Sequence, residues 1–285
     1  KNNTCFQIFL SHLSFTLTII YKFIYAIIIM PIKFGPAGIG PVKDAISNLE
    51  MYRKLGLKAC EIAFTYGIYI KEKDAVQIGK KAKELGIKLS IHAPYWINLN
   101  SLDKKKAEES KKRILDCCKI GTIMHVHRVV FHAGFYSGME REKAYENIKN
   151  RILEMREEIK KEKYTPKLAP EVMGKINVFG SVEEISKLVR ETKCSFCIDF
   201  AHILARYKSY RIKETLSEFK NEKELHMHFS GIEYGEKGEK NHKKTPEKEW
   251  EKLISGLPKS REITIINESP SPVEDSVIGL SISRR

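Results

Sequence analysis

The chain holds 285 residues, 42% of them hydrophobic, enough for one large core or two modest ones. Its formal net charge of +14, from 50 Lys and Arg against 36 Asp and Glu, favours a polyanionic partner through counterion release, although a solvated lysine-rich surface would carry the same surplus. The six cysteines (Cys5, Cys60, Cys117, Cys118, Cys194 and Cys197) lack disulfide-like spacing, and the chain is too long to need staples, so a disulfide-built fold is excluded and a reducing, cytoplasmic compartment is expected.

The first feature in chain order is a hydrophobic N-terminal segment. Residues 13–30, LSFTLTIIYKFIYAIIIM, are almost wholly apolar and broken by Lys22. The stretch is long enough for a transmembrane helix or an uncleaved anchor. Met30, however, is followed at once by PIKFGPAGIG, which reads as the start of a first strand. Residues 1–29 are therefore read as translated upstream sequence, with a membrane anchor as the alternative, and residues 30–285 as a single catalytic domain.

From Ile32 onward, short β-branched runs alternate with charged stretches of helical period. The strands are IKFG from Ile32, ACEIAF ending at Phe64, KLSIHA ending near Ala93 and RVVFHAG ending at Gly134. They continue with KLAPEV ending near Val172, SFCIDF ending at Phe200, ELHMHFS ending at Ser230 and EITIINE ending at Glu268. Helices fall between them, at about 42–55, 73–85 (stopped by Gly86), 104–118, 141–160, 182–191 and 246–254. Eight β-then-α units with near-continuous apolar strands predict an α/β fold, a parallel sheet closed into a TIM (β/α)₈ barrel. The segment GPAGIGP contains Pro36 and Pro41 and does not open a helix in the register of a dinucleotide loop, so no nucleotide cofactor is expected. Residues 233–245, EYGEKGEKNHKKT, read as a polar loop, and the C-terminal GLSISRR lacks the pattern of an amphipathic closing helix. Cys194 and Cys197 form a C-x-x-C, but within a strand positions three apart face opposite sides, so no thiolate metal site is expected.

Chemistry in such a barrel sits at the C-terminal ends of the strands. Those ends carry His92, His132, Glu171, Asp199, His226 with His228, and Glu268, while His202 follows Asp199 by three residues and His242 lies after strand seven. Each alone has a structural explanation. Together, on one rim, they need neutralising, and a metal cluster does that. Imidazoles and carboxylates without thiolate suit zinc, manganese or iron, and Glu171 and Glu268 can bridge ions. His12, His125 and His127 have no such placement and are read as structural or surface residues.

The segments SIHAPYWINL (90–99), VVFHAGFYSG (129–138), APEVMG (169–174), FCIDFAHILA (196–205), MHFSG (227–231) and NESP (267–270) make the chain, from about Ile32 to Asp275, resemble endonuclease IV. H-x-x-Y-x-I-N-L and C-I-D-x-x-H are the specific motifs; the others occur in the right order. The resemblance implies a monomeric enzyme with two or three zinc ions. His92, His132 and Glu171 would hold the first; Glu171 would bridge to a second, held also by Asp199, His228 and Glu268; His202 and His242 would hold a third. On strand seven His228 is favoured over His226, because M-H-aromatic matches the family's M-H-L, though both share a strand face.

Three departures stand out. The family's aspartate two residues before the loop histidine is Lys240 here, with Glu239 adjacent. The loop after strand two, residues 65–73, lacks the family's arginine and offers Tyr66 and Tyr69, as a wedge or as rim packing. The closing helix is expected to be incomplete. The implied reaction is hydrolysis of the phosphodiester 5′ to an abasic site in double-stranded DNA, with Glu171, Glu268 and Tyr95 as catalytic residues and lysines near 103–112 and 237–244 as phosphate contacts. The rival is a metal-dependent sugar isomerase or epimerase of the same superfamily, which needs fewer ions. A damage-binding barrel without metal competence is the third.

Overall fold

The computed structural model describes residues 32–285, so the apolar N-terminal stretch lies outside the described residues. In chain order the elements are β1 (Lys33–Pro36), α1 (Ala45–Lys54), β2 (Ala59–Ala63), α2 (Glu72–Leu85), β3 (Lys88–His92), α3 (Lys104–Ile123), β4 (Arg128–Phe131), α4 (Arg141–Lys161), β5 (Lys167–Pro170) and α5 (Val182–Thr192). They continue with β6 (Ile198–Asp199), α6 (Phe200–Tyr207), α7 (Ile212–Glu218), β7 (Glu224–Phe229), β8 (Gly231–Gly235), β9 (Gly238–Lys243), α8 (Glu247–Ser255), β10 (Glu262–Asn267) and α9 (Pro272–Ile282). Two four-stranded parallel sheets, β1-β10-β7-β6 and β2-β3-β4-β5, are joined by parallel bridges Ala37 to Glu61 and Glu171 to Cys197. The sheet thus closes on itself as the expected TIM barrel. Among the described residues no helix is long and apolar enough to cross a membrane.

Strand alternation sorts the side chains into two layers. On β7, Leu225, Met227 and Phe229 join the large apolar layer beneath the helices, as do Leu89 and Ile91 on β3 and Val129 and Phe131 on β4. The intervening residues face the barrel interior, where apolar packing shrinks to Val130, Ala169 and Cys197. The strands are therefore less uniformly apolar than predicted: Glu61, Ser90, Arg128, His226, His228 and Thr264 are all buried.

Two sequence expectations are corrected. Residues 233–245 are largely the antiparallel hairpin β8–β9 rather than a loop, with Gly235 and Gly238 paired across a short turn. Its alternation is hard to see because most of its side chains are polar and exposed on both faces. The closing helix is present as α9, in which Leu280 and Ile282 are buried. Gly279 lies so close to Trp250 and Phe34 that a Cβ there would approach both rings to about 3 Å. This helix is apolar and packed into the layer, so it lacks the two-faced pattern that betrays a surface helix.

The N-terminal end of the barrel is closed by ion pairs. Lys33 and Lys88 (3.0 Å) meet Glu262, while Lys88 (3.4 Å), His127 (2.7 Å) and Arg128 (3.0 Å) meet Glu224. His127 is structural, as expected.

Candidate metal centre

At the opposite end the predicted residues converge. Glu171, fully buried just past β5, contacts four histidines. Its Oε2 lies 3.2 Å from His92 Nε2 and 3.1 Å from His132 Nε2; its Oε1 lies 3.1 Å from His228 Nδ1 and 3.5 Å from His202 Nδ1. Glu268 Oε2 approaches His228 Nδ1 at 3.3 Å and His242 Nε2 at 3.9 Å. The donor atoms fall into linked groups, His92–His132–Glu171, Glu171–Asp199–His228–Glu268 and Asp199–His202–His242, and within each group they lie within 4.8 Å of one another. Glu171 belongs to the first two groups and Asp199 to the last two. Asp199 was expected only in the second.

Local structure explains the motifs. Asp199 is the N-cap of α6; its Oδ1 accepts from the His202 backbone N–H at 2.8 Å, so D-x-x-H sets both the helix start and the histidine. Asn98 of the H-x-x-Y-x-I-N-L segment accepts from the backbone N–H groups of Asn100 and Phe135, tying the loop after β3 to the loop after β4. Gly134, at φ +134°, has no room for a Cβ beside Asn98. Asn267 of NESP donates to Phe229 O and Thr245 Oγ1. These asparagines hold loops rather than ligands.

The electrostatics call for a cation. His92 donates Nδ1–H to Ala93 O (2.8 Å), so the neutral ring points an Nε2 lone pair at the Glu171 carboxylate. One Asp199 carboxylate oxygen, Oδ2, is buried without a hydrogen-bond partner. Burial opposes charge on His92, yet Glu171 outweighs it and raises the ring to about 9. His202 rises to about 9 as well, Asp199 and then Glu171 overcoming burial. Burial also disfavours charge on Glu268, but His228 holds it down at about 2. Burial pushes Asp199 up. Lacking a metal, the cluster retains protons on imidazoles that face carboxylates; divalent ions between these atoms would replace them. The donor set therefore fits a metal centre.

His226 sits one layer deeper than His228. Its Nε2 lies 3.2 Å from Glu61 Oε2, and burial depresses it to about 3. Of the two strand-seven histidines, His228 reaches Glu171 and Glu268, whereas His226 reaches Glu61. Sequence reasoning missed Glu61 altogether, because it looked at strand ends while Glu61 lies inside β2. Inward alternation along ACEIA would have exposed it. Cys197 also faces the interior beside His226 and His228, with its thiol pushed well up by burial.

The hairpin answers the Lys240 departure. A bulge shifts the pairing from Glu233–Asn241 to Tyr234–Glu239, leaving Lys240 as the extra, exposed residue. Glu239 turns inward instead: its side chain is 12% exposed, and its buried Oε2 has no partner. It packs over Gly174, where a Cβ would meet Oε2 at 2.3 Å. His242 accepts or donates at Nδ1 with Ser230 Oγ (2.6 Å), leaving Nε2 toward the cluster.

Aromatic side chains line the rim. Tyr95, stacked on His132 with ring centres 5.6 Å apart, keeps its proton because burial, then Glu268, raises it to about 12. Tyr66 and Trp96 are exposed 6.4 Å apart, whereas Tyr69 packs edge-on against Phe64. Of the lysines expected at phosphates, Lys111 and Lys112 pair with carboxylates, while Lys104, Lys105, Lys106, Lys237, Lys240, Lys243 and Lys244 are exposed.

A closed barrel with linked His/Asp/Glu groups at its C-terminal mouth defines a TIM-barrel protein with candidate metal-binding clusters. The chain belongs to the xylose isomerase-like TIM barrel family, whose model matches residues 49–278. An uncharacterized protein of Methanocaldococcus jannaschii is 36% identical over 265 residues, covering 86% of this chain and 94% of that one. A probable endonuclease 4 of Aquifex aeolicus is 28% identical over 151 residues, 50% of this chain and 52% of the relative. Among solved structures, SacUVDE superposes with a TM-score of 0.69 at 16% identity, covering 90% of this chain and 98% of its own. Endonuclease IV from Thermus thermophilus gives 0.67 at 20%, covering 89% and 97%. D-psicose 3-epimerase from Clostridium cellulolyticum gives 0.63 at 15%, covering 88% and 98%. At these identities the superpositions establish the fold alone.

Proposed function

We propose that the chain is a metal-dependent apurinic/apyrimidinic endonuclease of DNA base excision repair, hydrolysing the phosphodiester 5′ to an abasic site and leaving a 3′-hydroxyl. The observation that carries the proposal is Glu171, whose two oxygens face separate pairs of histidines. With Asp199 shared further along, the donors suit two or three ions in a row, which matches a phosphodiester with several oxygens to neutralise. His92, His132, Glu171, Asp199, His202, His228, His242 and Glu268 would hold them. When bound, zinc, or manganese or iron in its place, supplies the Lewis acidity that activates water and offsets phosphate charge.

The chain's own groups do the rest. Glu268, with its side chain 17% exposed at the mouth, accepts a hydrogen bond from the attacking water and orients it. Tyr95, which keeps its proton, donates a hydrogen bond to the deoxyribose or phosphate, and the proton lost by the water ends on the departing 3′-oxygen. Tyr66 and Trp96 offer faces on which bases beside a flipped-out sugar can stack. The exposed lysines of α3 and the hairpin favour a polyanion at the rim. The 28% identity to a probable endonuclease 4 supports the same reading.

The alternative is a sugar isomerase or epimerase of the same fold, which superposition does not separate from the endonuclease. The deciding assay offers a duplex bearing one tetrahydrofuran abasic site to the metal-loaded protein, with and without chelator. This analogue cannot undergo β-elimination, so only hydrolysis cuts it. Chelator-sensitive incision on its 5′ side is expected. Intact duplex, with ketohexoses exchanging a carbon-bound proton with solvent, would establish the epimerase instead.

A further inference from the structure

We propose that Glu61 is a positioning residue for the metal centre: it holds the His228 ring so that Nδ1, and not Nε2, is the nitrogen presented to metal. This rests on the metal-centre part of the proposed function and not on the choice of substrate.

Glu61 is fully buried inside the barrel, one layer below the rim. Two groups, one on the adjacent strand β3 and one across the barrel on β7, fix its carboxylate. Ser90 on β3 donates to Oε2 at 2.7 Å, and His226 on β7 reaches the same oxygen at 3.2 Å. Oε1 is thereby aimed at His228, lying 2.8 Å from its Nε2. Both atoms are buried and neither makes an aligned hydrogen bond to any group, so each is left facing the other as its close polar neighbour. A carboxylate at that distance is compatible with a proton on Nε2, which leaves the Nδ1 lone pair for the side where Glu171 and Glu268 converge. Metal-bound histidines commonly donate their second N–H to a carboxylate, which fixes the ring and raises its basicity. Glu61 supplies that group from a strand that delivers no donor atom to the rim cluster itself. The same carboxylate occupies His226, which keeps the second histidine of β7 off the metal.

Zinc titrations of the full chain, with ¹⁵N-labelled histidine, test this. In the wild-type protein the His228 ring should show Nδ1 bound to zinc and Nε2 protonated. Glu61→Ala should lose that signature and weaken one zinc ion by about 10- to 100-fold, leaving the ion at His92 and His132 in place. Glu61→Gln, whose amide oxygen still accepts from Nε2–H, should recover most of the affinity. A purely structural role would lower the thermal midpoint of both variants without changing zinc affinity in the folded protein, and that result would overturn the inference. Zinc on Nε2 of His228 in the wild type would overturn it without any variant, should Glu61→Ala not fold. Failure of the wild type to bind zinc at all would instead remove the metal centre on which it stands.

Discussion

Both ends of the barrel draw ionisable side chains from β3, β4, β7 and β10, yet they are opposite in kind. At the N-terminal end Lys33, Lys88 and Arg128 face Glu224 and Glu262, so fixed cations meet fixed anions directly, although Nε and Nη1 of Arg128 are buried without partners. At the C-terminal end Glu171, Asp199 and Glu268 meet only imidazoles. Among the described residues no lysine or arginine forms an ion pair with these three carboxylates. Arg128 costs energy to bury but comes with its counterion, whereas the rim is short of positive charge unless histidines protonate or ions bind. Carboxylates at both ends look alike in the sequence. What separates them is the company each keeps.

Changing Glu171 should have the largest effect. Glu171→Gln removes the charge shared between two groups and should lower incision by on the order of 10³-fold, a loss of several kcal/mol of transition-state stabilisation. The full-length protein, assayed on the tetrahydrofuran duplex, reports this directly. Next comes the response of stability to metal. Ligand that binds only the folded state at 100 times its Kd adds about 2.7 kcal/mol, worth roughly 5–10 °C in a barrel of this size. Calorimetry with and without zinc should show that increment in the wild type and a much smaller one in Glu171→Gln.

The lower end should behave the other way. Glu224→Gln strands the buried Arg128 and should cost about 3 kcal/mol, while the zinc increment stays as in the wild type. If zinc affinity fell as well, the two ends would not be independent. Smaller still is a pH effect. Burial, followed by Arg128 and Lys88, depresses His127 to about 4. The unfolded chain therefore binds this proton more readily, so the contribution is fully present above about pH 6.5 and is lost as pH falls toward 4. Glu224, held near 2 by His127 and Lys88 against burial, contributes above about pH 4.5 and loses that as pH falls toward 2. Thermal midpoints of metal-free wild type and His127→Gln should accordingly converge between pH 6.5 and 4.

The sequence made the rim legible because the eight strands were visible and a barrel's chemistry collects at their C-terminal ends. His92, His132, Glu171, Asp199, His202, His228, His242 and Glu268 all come to one place. What it hid was depth. Glu61 and His226 lie a layer below the rim, and only inward alternation along β2 and β7 reveals them. The hairpin escaped because polar residues cover both its faces, and the last helix because Trp250 and Phe34 leave it no solvent-facing pattern to read. The bulge that turns Glu239 inward past Lys240 is a backbone event with no composition of its own.

The most direct test is to count the ions. Native mass spectrometry and elemental analysis of the zinc-saturated full chain should find two or three divalent ions per molecule, released by chelator and reduced in number by Glu171→Gln. A folded wild-type protein that takes up no stoichiometric divalent ion at saturating zinc would contradict the account of the rim as a metal centre.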